Sequence, residues 1–217
     1  VHIPSSPQAL ESARLRLKFE EVFYIQTDML MRSRRRKADI QGFIMPRVGK
    51  WFNDFFYQCL PFELTGAQKR VIKEVRADIM SGRQMNRLVQ GDVGSGKTLV
   101  ALMCMLLAID NGFQACLMAP TEILATQHHT TLCELGAKIG LNVQLLTGST
   151  RVKKRREIDE GLRNGSIHIL VGTHAVIEDR VVFRNLGFVV IDEQHRFGVA
   201  QRARLWKKSV VPPHVLV

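Results

Sequence analysis

Apolar positions along the chain fall into two regimes. From residue 10 to residue 31 no Pro or Gly interrupts, and Leu15, Phe19, Val22, Met29 and Leu30 recur at helical spacing. Leu17, Tyr24, Ile25 and Met31 lie off that stripe, so a helix packed on more than one side is expected. It runs into RSRRRK at 32–37. That cluster reads either as a solvated helix end favoured by the helix dipole or as a contact for a nucleic-acid backbone. Around CLPFELTGAQ, 59–68, short β-rich runs begin to alternate with helical stretches. Strands are expected at 87–90, 114–119, 142–146, 167–171, 187–192 and 214–217, and helices at 66–81, 96–110, 121–139 and 151–164. Such alternation predicts an α/β fold with a parallel sheet and helices on both faces. GFVVI and HILV are apolar almost throughout, as strands buried on both sides must be. The expected organisation is a helical linker over 1–60 and an α/β lobe over 61–217. HVLV at 214–217 reads as the start of a buried strand with nothing after it, so a piece of a longer protein is expected, its lobe truncated at the C-terminus.

Composition narrows the class. With 46% hydrophobic and 24% charged residues, the chain reads as a soluble globular protein. Its formal charge of +11 fits either a polyanionic partner or a basic surface kept for solubility. Cys59, Cys104, Cys116 and Cys133 form no C-x-x-C pair and have no His at zinc-ligand spacing. A reducing, cytoplasmic setting is therefore expected. The N-terminal VHIPSSPQAL lacks the apolar core of a signal peptide. The most apolar run, LVALMCMLLAI at 99–109, is too short for a membrane span, which needs about twenty residues.

GDVGSGKT, Gly91 to Thr98, matches G-x-x-x-x-G-K-[ST] in full, between a predicted strand and a predicted helix. Gly94 and Gly96 permit backbone angles that side chains forbid, and with Gly91 and Ser95 they let amide N–H groups converge on phosphate at a helix N-terminus. Lys97 is expected to reach the β- and γ-phosphates and the Thr98 hydroxyl to ligate Mg²⁺. VVIDEQH, 189–195, supplies the partner: an apolar strand delivers Asp192 to the C-terminal edge of the sheet as a second Mg²⁺ ligand. Glu193, next along, suits a base that orients the attacking water. Two acids capping the following helix are the plainer reading of that pair. In PFELTGAQ, Phe62 can stack on a base and Gln68 can bond adenine's edge; alternatively Thr65 caps a helix and Phe62 belongs to the core.

Further motifs extend the picture. APTEILATQH at 119–128, LLTGS at 145–149, GTHAVI at 172–177 and IDEQHRFGVAQR at 191–202 come in the order found in superfamily-two DNA translocases. With GDVGSGKT, and with ARLRLKFEEVF in the leading helix, the set resembles the RecG family of bacterial ATP-dependent helicases from about Leu10 to Val217. Transcription-repair coupling translocases share GDVG, GTH and HRFGV, but they usually carry Glu in place of Gln194 and match PTEILA and TGS less well.

The resemblance implies the first RecA-like P-loop lobe of a helicase that uses ATP and Mg²⁺ to remodel forks and Holliday junctions in recombination and repair. It implies that Gln194 and His195 couple the γ-phosphate site to DNA. It also implies that Pro120, Thr121, Glu122, Thr147, Gly148, Ser149, Thr173 and His174 line the path of a DNA strand. Each of these groups follows a predicted strand end, where hydroxyls and N–H groups hold phosphates without reading bases. Helix caps and turns are the plainer reading for Thr121 and Ser149, and simple packing for His174 and His195. RVKKRR at 151–156 either flanks that path or is a solvated face, and Arg196 and Arg202 are placed to answer acids or phosphates. The resemblance further implies a wedge domain before Val1 and a second lobe after Val217 that brings an arginine to the γ-phosphate. The isolated chain is accordingly expected to hydrolyse ATP poorly and to unwind nothing.

Overall fold

The computed structural model describes residues 3–206 and 208–217, with side chains described for all of these except 32–39, 199–200 and 202–203. The side chains of RSRRRK and of Arg202 thus lie outside the described residues. The chain divides into two compact units, Val1–Ile40 and Gln41–Val217.

The first unit is one helix, α1 (Pro7–Asp39). It starts where Ser6 Oγ accepts the Ala9 N–H at 3.1 Å. The uninterrupted run of helix formers carries it much further than the apolar stripe alone indicates. Burial on more than one side does not follow: Leu15 is 69% exposed and Phe19 65%, and Val22, Tyr24, Met29 and Leu30 are also exposed. The reason is that this unit contains no second element against which a stripe can close. Local contacts remain, among them the Arg16–Glu20 ion pair at 2.8 Å and the stacked rings of Phe19 and Phe23.

The second unit is built on a six-stranded, all-parallel sheet. Its strands are β1 (Asn86–Arg87), β2 (Gln114–Met118), β3 (Val143–Leu146), β4 (Ile169–Gly172), β5 (Leu186–Ile191) and β6 (His214–Leu216), in the spatial order β1-β6-β5-β2-β4-β3. The run HVLV does form a strand, and it enters between β1 and β5. Bonds from Val89 N–H to Val217 O and from Val217 N–H to Arg87 O extend that pairing beyond the two residues of β1.

Each strand divides its side chains between two apolar clusters, as a period of two requires. Ala115 and Leu117 face one cluster with Val171, Phe188 and Val190; Cys116 and Met118 face the other with Leu170, Val189 and Ile191. The first cluster is closed by α3 (Gly66–Ile79), α4 (Lys97–Asp110) and α5 (Glu122–Gly136), and the second by α6 (Val152–Asn164) and α7 (Val199–Trp206). Every residue of α4 from Leu99 to Ile109 is buried. This explains why a helix can be apolar all round without spanning a membrane. Among the described residues, no helix is long and apolar enough to cross one. Burial also pushes the Cys104 thiol up to about 12 and raises Cys116, so both act as small hydrophobes.

The compact unit begins at Gln41, twenty residues before the boundary expected from the pattern. Met45 and Phe55 are fully buried in its core. Between them α2 (Lys50–Asp54) runs into a single π-helical turn, Phe55–Cys59. No side chain caps α2 locally. Asp110, at the far end of α4, accepts the Trp51 and Phe52 N–H groups at 2.9 and 3.0 Å instead.

Candidate active site

All six strands run the same way, so the segments after them share one edge of the sheet. At the β1 end lies the loop Gly91–Gly96. Gly94 and Gly96 have φ of 79° and 78°, a left-handed conformation that any side chain would strain. Gly96 is the residue from which α4 starts, and it aims the helix's first N–H groups into the loop. Ser95 N–H donates to Asp92 O at 3.2 Å and closes the turn. Lys97 Nζ spans the loop, donating to Gly91 O at 2.6 Å and Asp92 O at 2.8 Å. The result is a ring of backbone around one cation, at the positive end of a helix dipole.

Gln68 braces this loop from outside. Its Oε1 accepts the Thr65 N–H at 2.9 Å while Thr65 Oγ1 accepts the Gln68 N–H at 3.2 Å, a reciprocal cap that starts α3. Its Nε2 donates to Ser95 O at 2.9 Å. The expected cap at Thr65 is therefore present, and the Gln68 amide is tied to protein at both ends. Phe62, 54% exposed, lines a separate groove with Phe56, Tyr57 and Lys69.

Two strands across from β1, the end of β5 presents the acids. Asp192 N–H donates to Met118 O at 2.9 Å and so prolongs the β5–β2 ladder. Asp192 Oδ2 lies 2.8 Å from His128 Nε2. That contact with His128, and then the Glu193 backbone N–H and the charge of Lys97, hold the carboxyl below its ordinary value against the opposing effect of burial. Glu193 has φ 50° and ψ 52°. It is the sole non-glycine with positive φ among the described residues. Its Oε2 is 3.4 Å from His195 Nε2. A 3₁₀ turn over Gln194–Arg196 follows.

Lys97, Thr98, Asp192, Glu193, Gln194 and His195 line one cavity of about 360 Å³. The expected convergence of loop, hydroxyl and acids is thus present in the geometry. Among the described residues no three His, Cys, Asp or Glu side chains form a metal cluster by themselves. A hydroxyl and one carboxylate beside a phosphate cradle are nonetheless the donors a magnesium ion needs, because it keeps several waters and completes its shell with phosphate oxygens.

The remaining sequence-selected residues follow β2, β4 and β3, which are consecutive in the sheet. Thr121 Oγ1 caps α5 by accepting the Leu124 N–H at 3.2 Å. Glu122 accepts the Ser149 N–H at 3.2 Å and its hydroxyl at 2.8 Å. The Ser149 hydroxyl, followed by the neighbouring backbone N–H groups, lowers the Glu122 pKa. Thr147 Oγ1 is 2.9 Å from Ser149 Oγ, and a Cβ on Gly148 would lie 3.3 Å from Glu122. Pro120, Thr121, Glu122, Thr147, Gly148 and Ser149 are therefore brought together. Thr173 is buried with its hydroxyl unpartnered, and His174 is exposed at the start of a 3₁₀ turn.

Sequence reasoning passed over His128. Its place on α5 is two helical turns beyond Thr121, and only the fold shows that this position meets the end of β5.

An all-parallel sheet that carries a phosphate loop on one strand, acids two strands away and one strand between them defines a P-loop lobe of RecA-like fold. The DEAD/DEAH box helicase model matches residues 65–213, and the chain belongs to that family. It is 50% identical over 216 residues to the ATP-dependent DNA helicase RecG of Synechocystis, covering 100% of this chain and 26% of that protein. It is 47% identical over 212 residues to RecG of Bacillus subtilis, covering 98% of this chain and 31% of the relative. The chain thus spans roughly a quarter to a third of the length of these relatives. A solved structure of RecG bound to a three-way DNA junction superposes with TM-score 0.81 and 41% identity, over 99% of this chain and 28% of the other. A yeast DEAD-box splicing factor, at TM-score 0.58 and 21% identity over 76% of this chain and 42% of its own, shares the fold alone.

Proposed function

We propose that this chain is the ATP-binding lobe of a cytoplasmic RecG-type DNA helicase, which couples ATP hydrolysis to movement on branched or forked DNA. The observation that carries the reading is the meeting of Lys97, Thr98, Asp192 and Glu193 in one cavity. The likeness to RecG over the whole chain supports that use of the cavity.

Each residue has a chemical task in this reading. Amides of Gly94 to Thr98 and the Lys97 ammonium bind the β- and γ-phosphates. Thr98 and Asp192 would hold Mg²⁺, which when bound would supply positive charge beside the transferred phosphoryl group. Glu193 accepts a hydrogen bond from the attacking water and aims it in line. Gln194 and His195, next along the turn, report the state of that site to the DNA and to the second lobe. Gln68 serves the nucleotide site by bracing the phosphate loop at Ser95 O, and the exposed Phe62 ring is offered to the base. Pro120, Thr121, Glu122, Thr147, Gly148, Ser149, Thr173 and His174 line the strand's path at the ends of β2, β3 and β4, where hydroxyls and backbone N–H groups meet its phosphates and Glu122 orders the Ser149 turn. A second RecA-like lobe and a wedge domain of the same polypeptide complete the motor. An arginine from the second lobe is worth about 10³–10⁵ in rate in related hydrolases, so this lobe alone turns over slowly.

The test is ATP turnover of the full-length protein with forked, duplex and single-stranded DNA, wild type against Glu193→Gln. Turnover stimulated most by forked DNA and abolished by the substitution is expected. Turnover indifferent to DNA would refute the helicase reading. DNA binding that ignores both ATP and Lys97→Ala would leave only a basic scaffold.

A further inference from the structure

No sequence motif gives His128 a task, yet its ring touches the acid on which the site depends. The imidazole and the Asp192 carboxylate are both largely shielded, with side chains 19% and 32% exposed. The 2.8 Å contact joins Nε2 to Oδ2. A carboxylate only accepts, so the imidazole must donate, and Nε2 carries the proton. The bond occupies one carboxylate oxygen and leaves the other to different partners.

The two residues come from different elements. Asp192 hangs from the end of β5, and His128 stands in the second turn of α5, whose Thr121 cap and Glu122–Ser149 bonds fix its start. Two constraints therefore meet at the carboxylate, the bond from His128 and the field of Lys97, while the ladder bond from Asp192 N–H to Met118 O fixes the backbone that carries it. A lone aspartate at a strand end would turn freely about its own side-chain bonds. Here it is held by a ring that is itself carried on a helix.

We propose that His128 is a positioning residue: by donating from Nε2 to Oδ2 it fixes the Asp192 carboxylate in the orientation that binds the magnesium of a magnesium–nucleotide complex. Outer partners that orient a ligating carboxylate typically change metal affinity 10–100-fold when removed. The same α5 begins in the candidate strand path at Thr121, so the carboxylate is held by a rod whose other end lies among the residues suited to DNA phosphates.

This inference rests on the nucleotide-site reading, and the experiment separates the two. A fluorescent non-hydrolysable ATP analogue is bound to the full-length protein, and Mg²⁺ is titrated against wild type, His128→Leu and His128→Gln. Leu fills similar space without a donor, whereas Gln places an amide N–H near the position of Nε2. For His128→Leu the half-saturating Mg²⁺ concentration rises about 10–100-fold. With Gln it returns to within about threefold of wild type. Analogue affinity in chelator, where no metal contributes, is the same in all three proteins. A Mg²⁺ requirement unchanged in His128→Leu overturns the proposal. So does His128→Gln failing along with Leu, which would mean that packing and not the donor matters. If wild type binds no analogue at any Mg²⁺ concentration, the nucleotide reading fails first and takes this inference with it.

Discussion

Glu193 occupies a conformation that its residue type disfavours, and this can be measured. At φ 50° and ψ 52° it lies in the left-handed region, where an L-residue with a Cβ loses about 1–2 kcal/mol relative to the right-handed form. Glycine there escapes that strain, but its freer unfolded chain costs about 0.5–1 kcal/mol in return. Glu193→Gly is therefore expected to stabilise the fold by about 0.5–1 kcal/mol net. The proper reference is Glu193→Gln, which keeps the shape and the strain and removes only the charge. Removing that charge also ends the ion pair with His195, but at 3.4 Å and between side chains 49% and 71% exposed the pair contributes little in water. For a protein of this size 1 kcal/mol moves the melting temperature by about 2–4 °C. Thermal unfolding of the 217-residue chain should thus rank Glu193→Gly above both Glu193→Gln and wild type, with the latter two alike. In the full-length protein both substitutions should abolish hydrolysis, since neither supplies a carboxylate. A Gly variant that melts no higher than the Gln variant would refute the strain argument and remove the reason for regarding this turn as shaped by function.

Other outcomes are equally definite. His214 is fully buried, with Nδ1 accepting the Met85 N–H at 3.0 Å and Nε2 donating to Phe43 O at 2.8 Å, and burial holds its pKa below the ordinary value. The unfolded chain then binds the extra proton, so the stability tied to His214 is complete above about pH 6.5 and is lost as pH falls toward the folded value. Burial lowers His129 and His168 in the same sense, and denaturant midpoints at about pH 7.5 and 5.5 should show the drop. Gly172→Ala would press a methyl into Leu146 O and to 2.6 Å from Val176, so a loss of about 1–3 kcal/mol is expected by chemical denaturation. Gln68→Ala removes half of the α3 cap and the bond to Ser95 O; it should cost about 1–2 kcal/mol in melting experiments and weaken nucleotide binding by loosening the loop.

Strands β2 to β6 were legible because each is a short, mainly apolar run, and the phosphate loop because its glycines and lysine sit at fixed spacing. Those signals are local. Strand β1, expected at 87–90, forms instead at the polar Asn86–Arg87, where pairing with β6 and not its own pattern decides it. The segment from Gln41 to Cys59 was not legible, because its order depends on Asp110 some sixty positions away capping α2, and on Met45 and Phe55 reaching the core. The stripe on α1 predicted a helix correctly but not its surroundings, since periodicity says which residues seek burial and not whether a partner surface exists. His128 escaped for a related reason. Its partner is 64 residues away, and nothing in TQHHT marks which of two adjacent histidines faces the sheet. Thr121 and Ser149 show the converse: the plain reading is met by their capping and turn bonds, and both lie on the edge where the proposed strand path runs.

At the centre of the proposed function, the loop lysine and the strand-end aspartate grip one magnesium–nucleotide complex. Calorimetric titration of the full-length protein with a non-hydrolysable ATP analogue, in Mg²⁺ and in chelator, tests this most directly when Lys97→Ala and Asp192→Asn are compared with wild type. One site per chain is expected, with binding lost in Lys97→Ala under either condition and a Mg²⁺ enhancement that disappears with Asp192→Asn. Undiminished binding in Lys97→Ala, or the full Mg²⁺ enhancement in Asp192→Asn, would contradict it.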